Sequence, residues 1–197
     1  MNGVDLRYSD LFLCCKSRKP KSIIEIGANN GYSAYNMIVN AGASRYVGFD
    51  LFEDASDETN AREMNAKKPA VMSEVLEALE DGTDASILLI KGDTNKTLPE
   101  FLKTGEKFDL AFIDGGHSIE TIRNDWFYVR QMMNPDGVVI FDDYHHNKEG
   151  FGCNEIVKNL PFKPGRYIST TKKTGLKVSM VMVPMKELKG KECIGFL

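Results

Sequence analysis

The sequence predicts an α/β fold, a doubly wound and mostly parallel sheet of seven strands that ends in an antiparallel hairpin. Short runs of β-branched and aromatic residues alternate with longer amphipathic stretches, which is the pattern of repeated β-α units. Near the end of the chain, two strand-like runs at 166–170 and 176–183 flank Lys172-Lys173-Thr174-Gly175, and this arrangement favours a hairpin. The predicted class is therefore Rossmann-like, with a single domain over residues 1–197.

Each predicted strand is an apolar run that ends at a turn signal or an acidic residue. The five parallel strands are predicted at 22–26, 45–50, 87–90, 108–113 and 137–141. Helices are predicted at 32–39, 98–103, 119–133 and 154–160, with Ser118 as the N-cap of the third. The stretch 54–82 is polar and helix-rich, and Pro69 interrupts it. Before the first strand we expect no helix that covers the site, and we expect the basic run 16–21 to be a solvated linker.

The composition is that of an ordinary globular protein and argues against several classes of function. The 197 residues are 42% hydrophobic and 27% charged, which suits one domain with a full core. A net charge of -3 gives no electrostatic reason to expect a nucleic-acid partner. The sequence has no apolar run of roughly 20 residues for a membrane span and no signal-peptide layout at its first residues. The four cysteines lack metal-ligand spacing, so we expect reduced thiols in a cytoplasmic protein.

A glycine-containing turn follows the first predicted strand, in the segment Glu25-Ile26-Gly27-Ala28-Asn29-Asn30-Gly31. Gly27 can adopt the positive φ of a tight turn, and Gly31 allows a ligand to approach the backbone closely. Asp50 ends the second strand, where a carboxylate can accept hydrogen bonds from ribose hydroxyls. Dinucleotide-binding enzymes use the same geometry, so this pattern alone leaves the cofactor open.

Acidic clusters end the fourth and fifth predicted strands. The run 110–113 leads into Asp114-Gly115-Gly116-His117, and the run 138–141 leads into Asp142-Asp143. In an open α/β sheet, ligands bind beyond the carboxyl ends of the strands, so three carboxylates and an imidazole should converge there. Such a set can hold a hard divalent cation and can deprotonate a hydroxyl group.

The glycine turn and its neighbouring acids resemble the first motifs of class I S-adenosylmethionine-dependent methyltransferases. The pattern is Glu25-x-Gly27-x-x-x-Gly31 with Asp50, and it continues through Lys91-Gly92-Asp93-Thr94 after the third strand. Asn29 stands where the family usually has its middle glycine. The resemblance implies that Gly27 and Gly31 border the methionine moiety, Asp50 the ribose and Asp93 the adenine. The full set of cofactor-binding residues that it implies is Glu25, Gly27, Asn29, Gly31, Asp50, Gly92, Asp93 and Asp114.

The acidic clusters resemble a narrower group, the metal-dependent O-methyltransferases of the catechol and macrolide-sugar types. This resemblance implies a Mg²⁺ ion held by Asp114, Asp142 and Asp143, with His117 as the general base. The Asp-Asp pair and the histidine match the sugar-type enzymes better than the catechol-type ones. The implied acceptor is therefore a small hydroxylated molecule, a sugar or glycoside rather than a catechol, and the implied assembly is a homodimer.

Other interpretations stay open at this point. A nicotinamide-dependent oxidoreductase would use the same sheet, although its fingerprint requires glycine at Asn29 and glycine or alanine at Tyr32. A non-catalytic S-adenosylmethionine-binding protein is a third reading. The acids could simply end strands or solvate loops, and His117 could be a surface residue. His145 and His146 are alternative bases or metal ligands.

Overall fold

Seven strands form one sheet in this computed structural model, which describes residues 6–56, 58–59, 68–161, 166–173 and 176–189. The strands are β1 (Ser22–Ile26), β2 (Arg45–Asp50), β3 (Ser86–Lys91), β4 (Phe108–Ile113), β5 (Met133–His145), β6 (Arg166–Lys173) and β7 (Leu176–Pro184). Their order is β3-β2-β1-β4-β5-β7-β6. The pairs among β1 to β5 are parallel, and β7 runs antiparallel to both β5 and β6. The predicted fold class is confirmed.

Helices cover both faces of the sheet. In the described part of the chain they are α1 (Leu6–Arg18), α2 (Tyr32–Ala41), α3 (Met72–Gly82), α4 (Thr94–Leu102), α5 (Ile119–Val129) and α6 (Gly152–Lys158). Single 3-10 turns lie at Phe52–Asp54, Arg130–Met132 and Met185–Glu187. None of the described helices is long and apolar enough to cross a membrane.

Helix α1 corrects the prediction for the segment before the first strand. Residues 16–18 of the expected linker form its last turn. Leu11, Phe12 and Cys15 are buried in the core. These positions follow the spacing of one helical face, and the helix packs against α2 and β6. The expectation that this segment lacks a covering helix is therefore wrong.

Other element boundaries differ from the sequence prediction for local reasons. Helix α4 begins four residues early because the Asp93 side chain caps it, accepting a hydrogen bond from the Asn95 backbone N–H at 2.9 Å. Strand β5 extends on both sides of 137–141 and includes Asn134-Pro135-Asp136-Gly137, whose residue types favour a turn. The turn of the C-terminal hairpin at 174–175 and residues 60–67 of the polar stretch lie outside the described residues.

The core has two layers, one on each face of the sheet. Alternate residues of β1 point to opposite faces, so that Ile24 lies in one layer and Ile23 in the other. On the first face, α4, α5 and α6 contribute the buried residues Leu98, Trp126 and Ile156. On the second face, α1, α2 and α3 contribute Leu11, Met37 and Leu79. Because β1, β4 and β5 are parallel neighbours, the loops that follow them meet at one edge of the sheet.

Candidate active site

The turn after β1 is built on backbone conformations that favour glycine. Gly27 has a φ of 92° and Gly31 a φ of 76°, while Asn29 has a φ of 44° and Gly92, after β3, a φ of 135°. A Cβ atom on Gly27 would lie 2.2 Å from the carbonyl oxygen of Asp114. The glycine turn is therefore in direct backbone contact with the start of the loop that follows β4.

Glu25 lies beneath this turn and has no exposed surface. Its carboxylate accepts a hydrogen bond from the Ser33 hydroxyl at 2.5 Å and another from the Tyr46 hydroxyl. Burial raises the pKa of Glu25 to about 7, and the hydrogen bonds from Ser33 and Tyr46 oppose that rise. The Glu25 side chain therefore links β1 to α2 and β2. Because it is buried, it would affect cofactor binding indirectly, by holding the glycine turn in place.

The carboxylates after β2 and β3 also bond to their own loops. Asp50 accepts the backbone N–H of Asn29 at 2.9 Å and that of Phe52 at 2.7 Å. It thereby joins the end of β2 to the glycine turn. Asp93 accepts hydrogen bonds from both the backbone and the side-chain amide of Asn95, each at 2.9 Å. The cofactor contacts that the resemblance implies for Asp50 and Asp93 stay a prediction. The structure shows that both carboxylates also hold their loops in place through hydrogen bonds.

The loops after β4 and β5 bring three potential ligands together. Each of three residues offers one atom that could bind a metal ion, and these three atoms lie within 4.8 Å of one another. The residues are Asp114, His117 and Asp143. His117 Nε2 is 2.8 Å from Asp143 Oδ2. The paired register of Ile113 with Phe141 places these loops side by side. Two of the three predicted carboxylates and the imidazole thus lie together in the structure, and their roles stay a prediction.

A β-bulge separates the two members of the Asp142-Asp143 pair. The register between β5 and β7 shifts between Phe141 and Tyr144, and Asp143 adopts a left-handed φ of 57°. Asp142 is 4% exposed, and its Oδ1 accepts the backbone N–H of Asp143 at 2.7 Å. Bulges commonly redirect a side chain near an active site. Here the bulge places Asp143 beside His117, while Asp142 lines the same small cavity without joining the three-residue cluster.

Sequence reasoning missed Tyr8, which contacts this cluster from α1. Its hydroxyl donates a hydrogen bond to Asp114 Oδ2 at 2.5 Å. Burial raises the pKa of Asp114 to about 7, the Tyr8 hydrogen bond opposes the rise, and the charge of Asp143 adds to it. The apolar spacing of Tyr8, Leu11, Phe12 and Cys15 is a helical signal that could have revealed α1.

The two other histidines considered from the sequence lie outside the cluster. The backbone N–H of His145 donates to Asn154 Oδ1 at 2.8 Å, and the His145 ring stacks on Phe151 with centroids 4.1 Å apart. His146 Nε2 lies 2.7 Å from the Ser179 hydroxyl. Among the described residues, His117 is the histidine that the geometry joins to the acidic residues.

The cluster fits a divalent cation and a neighbouring base. Two carboxylates suit Mg²⁺, which prefers oxygen ligands and retains several waters. His117 is paired with Asp143, an arrangement that orients an imidazole as a base. Asp114, His117, Asp142 and Asp143 border one small, partly open cavity. The fit therefore favours Asp114 and Asp143 as ligands, with Asp142 beside them.

A family model described as a methyltransferase domain matches residues 24–144. The match covers more than half of the chain, from β1 to the bulge of β5, and includes every predicted site residue. The chain belongs to this methyltransferase family. Membership favours methyl transfer over the nicotinamide-dependent oxidation that the glycine turn alone left open.

One curated protein and several solved structures are similar to this chain. An uncharacterized protein of Acanthamoeba polyphaga mimivirus is 29% identical over 121 residues, which are 61% of this chain and 50% of that protein. The chain thus spans about half the length of this relative. An O-methyltransferase from Bacillus cereus, solved with S-adenosylhomocysteine, superimposes with a TM-score of 0.63 at 16% identity, covering 92% of this chain and 81% of that one.

The methyltransferase CalS11 has the same fold. It is described as a TDP-rhamnose 3'-O-methyltransferase of calicheamicin biosynthesis, and it superimposes with a TM-score of 0.59 at 20% identity. The superposition covers 89% of this chain and 76% of that one. At these identities, the two superpositions establish the class I methyltransferase fold.

Proposed function

We propose that this methyltransferase transfers a methyl group from S-adenosylmethionine to a hydroxyl oxygen of a small molecule, with assistance from a divalent cation. The observation that carries the proposal is the Asp114–His117–Asp143 cluster, which begins where the Gly27 turn touches the backbone of Asp114. A methyl donor bound at the turn would therefore lie next to a group able to activate an acceptor. The family match and the S-adenosylhomocysteine in the Bacillus cereus structure support the choice of cofactor.

The cofactor would be held mainly by backbone and carboxylate groups of the first three loops. S-adenosylmethionine supplies a methyl group already activated by a sulfonium. Gly27 and Gly31 leave the turn without side chains, so the methionine part can approach the backbone. Asp50 is fixed by two backbone N–H donors, and its carboxylate is the group proposed for the ribose hydroxyls. This arrangement would orient the donor toward the end of β4, and orientation supplies much of the rate in such a transfer.

Activation of the acceptor would depend on the cluster. A divalent cation lowers the pKa of a hydroxyl bound to it. Asp114 and Asp143 would hold the ion, and Asp143 also fixes one ring nitrogen of His117. In the neutral ring the other nitrogen accepts a proton. His117 would take the acceptor's hydroxyl proton as the new O–C bond forms and the S–C bond breaks, leaving S-adenosylhomocysteine and a protonated imidazole.

A sugar or glycoside hydroxyl is the preferred acceptor. Such a hydroxyl is a weak acid and needs both an ion and a base, and this chain offers carboxylates with a histidine paired to one of them. The sugar nucleotide named for CalS11 agrees with this choice of acceptor class.

The proposal is tested first by binding and by metal removal. Isothermal titration should detect S-adenosylhomocysteine binding, and absence of any binding would refute methyl transfer from this cofactor. Turnover of a sugar acceptor should fall after EDTA treatment and recover when Mg²⁺ is added back. Methyl transfer that EDTA leaves unchanged would remove the cation from the mechanism and leave the cofactor in place.

The role of His117 is tested by His117→Ala, with His146→Ala as the matched control. His117→Ala should lower turnover by at least ~10²-fold and leave the affinity for S-adenosylhomocysteine unchanged. His146→Ala should retain turnover because its ring bonds to Ser179 and lies outside the cluster. Near-normal turnover of His117→Ala would show that His117 is not the general base.

A further inference from the structure

Tyr8 joins helix α1 to the acidic cluster through one hydrogen bond, and its ring packs against three other aromatic rings. Its hydroxyl donates to Asp114 Oδ2 at 2.5 Å. Its ring packs edge-on against Phe112 of β4, with centroids 6.2 Å apart, and against Tyr32 of α2, with centroids 6.4 Å apart. The ring of Phe12, one turn along α1, lies 6.2 Å from it. The position of the hydroxyl is therefore fixed by three different elements of the fold.

The hydrogen bond restricts the rotation of the Asp114 carboxylate. A carboxylate that follows a strand can rotate about its side-chain bonds, and each orientation presents its oxygens to the cluster differently. Tyr8 holds Oδ2 in one place, and the Asp114 backbone is itself confined by its close contact with Gly27. Partners that orient a metal ligand in this way typically contribute 10- to 100-fold to metal affinity.

We propose that Tyr8 is a positioning residue of the metal site, which sets the orientation of the Asp114 carboxylate and so raises the affinity for the divalent cation. The inference rests on the proposed function, because it concerns the cation that Asp114 would hold. It makes α1 part of the active site, whereas a helix that only packs against the core would contribute to folding alone. The two possibilities predict different effects on the affinity for the cation when the Tyr8 hydroxyl is removed.

The test is the affinity of the cofactor-free protein for Mn²⁺, measured by isothermal titration for the wild type, Tyr8→Phe and Tyr32→Phe. Tyr8→Phe keeps the ring and removes only the hydroxyl that reaches Asp114. Tyr32→Phe is the matched control, since it removes a hydroxyl from a neighbouring residue that is 47% exposed. S-adenosylhomocysteine affinity in the same samples reports whether each variant is folded, because the glycine turn does not involve the Tyr8 hydroxyl.

We expect Tyr8→Phe to bind Mn²⁺ about 10- to 100-fold more weakly, with S-adenosylhomocysteine affinity within about twofold of the wild type and Tyr32→Phe unchanged in both. A Tyr8→Phe protein that binds Mn²⁺ as tightly as the wild type would overturn the inference alone. A weakened Mn²⁺ affinity in Tyr32→Phe as well would also overturn it, since the loss of a hydroxyl that does not bond to Asp114 would then have the same effect. A wild-type protein that binds no Mn²⁺ would overturn both this inference and the cation in the proposed function.

Discussion

Replacing Glu25 by glutamine should remove a pH dependence from the free energy of unfolding. Glu25 is fully buried, and burial raises the pKa of its carboxyl from 4.5 to about 7, against the opposing effect of hydrogen bonds from Ser33 and Tyr46. A carboxyl whose pKa is higher in the folded than in the unfolded protein binds more protons when folded. Its contribution to stability therefore falls as the pH rises from about 4.5 to about 7, and changes little above that range.

The size of the effect follows from the shift. Each pKa unit corresponds to about 1.4 kcal/mol, so the shift of Glu25 from 4.5 to about 7 amounts to about 3 kcal/mol when complete. Between pH 5 and pH 8, linkage gives a loss of roughly 2–3 kcal/mol from this one group. Glutamine carries no charge in that range and should show no such loss, while its amide can still bond to Ser33 and Tyr46.

Urea denaturation at several pH values between 5 and 8 measures this difference directly. Trp126 is the sole tryptophan of the chain and is fully buried, so its fluorescence reports unfolding of the core. Burial also raises the pKa of Asp114 to about 7 and that of Asp125 to about 6. The wild type will therefore lose more stability than Glu25 alone explains. The difference between wild type and Glu25→Gln reports Glu25 together with its smaller effect on the pKa of Asp114.

Glu77→Gln is the matched control, because Glu77 lies exposed on α3 and surface substitutions usually change stability by less than about 0.5 kcal/mol. It should follow the wild-type pH dependence. If Glu25→Gln and the wild type lost the same free energy between pH 5 and pH 8, Glu25 would not be the buried acid described above. A constant destabilisation of Glu25→Gln at every pH would indicate that only its hydrogen bonds matter.

The other predictions concern backbone strain and thiol burial. Gly27→Ala should lower S-adenosylhomocysteine affinity at least ~10-fold and destabilise the fold by several kcal/mol, because its Cβ would meet a carbonyl oxygen at 2.2 Å. Gly42→Ala, at a φ of 62° with nothing within 4 Å of the added Cβ, should cost only about 1 kcal/mol, so equal losses in calorimetry would refute the close contact. Asp143→Asn should keep its left-handed backbone, which asparagine tolerates, and retain the melting temperature while turnover of a sugar acceptor falls at least ~10-fold; retained turnover would contradict the pairing with His117. Burial raises the pKa of Cys15 to about 12, so iodoacetamide at pH 7.5 should label Cys15 only after unfolding, as peptide mapping would show.

The strands and the position of the site were predictable because their signals are local. An apolar run followed by a turn marks a strand such as β4, and the parallel arrangement then places the residues after it at the binding edge. This reasoning predicts that Asp114, His117 and Asp143 lie close together, although they come from two segments that are more than twenty residues apart in sequence. The roles of these residues stay predictions that the experiments above address.

The side-chain pairings that were missed depend on contacts between distant segments. The bond from Tyr8 to Asp114 spans 106 positions, and the partner of Glu25 on β2 is Tyr46. Neither pairing leaves a pattern in its own neighbourhood. The separation of Asp142 from Asp143 likewise arises from the register shift against β7, and a pair of adjacent acids gives no sign of which one a bulge will redirect.

The candidate site concentrates features that cost stability. Asp143 holds a left-handed backbone, which costs a residue of this kind of order 1–3 kcal/mol. Asp114 and Glu25 are acids whose pKa values burial raises to about 7, so each is destabilising when charged. A fold selected for stability alone would place glycine at the bulge and apolar residues at the buried acids. Strain and buried charge collected at one edge of the sheet are typical of a site shaped by chemistry, and a bound cation would offset the repulsion between Asp114 and Asp143.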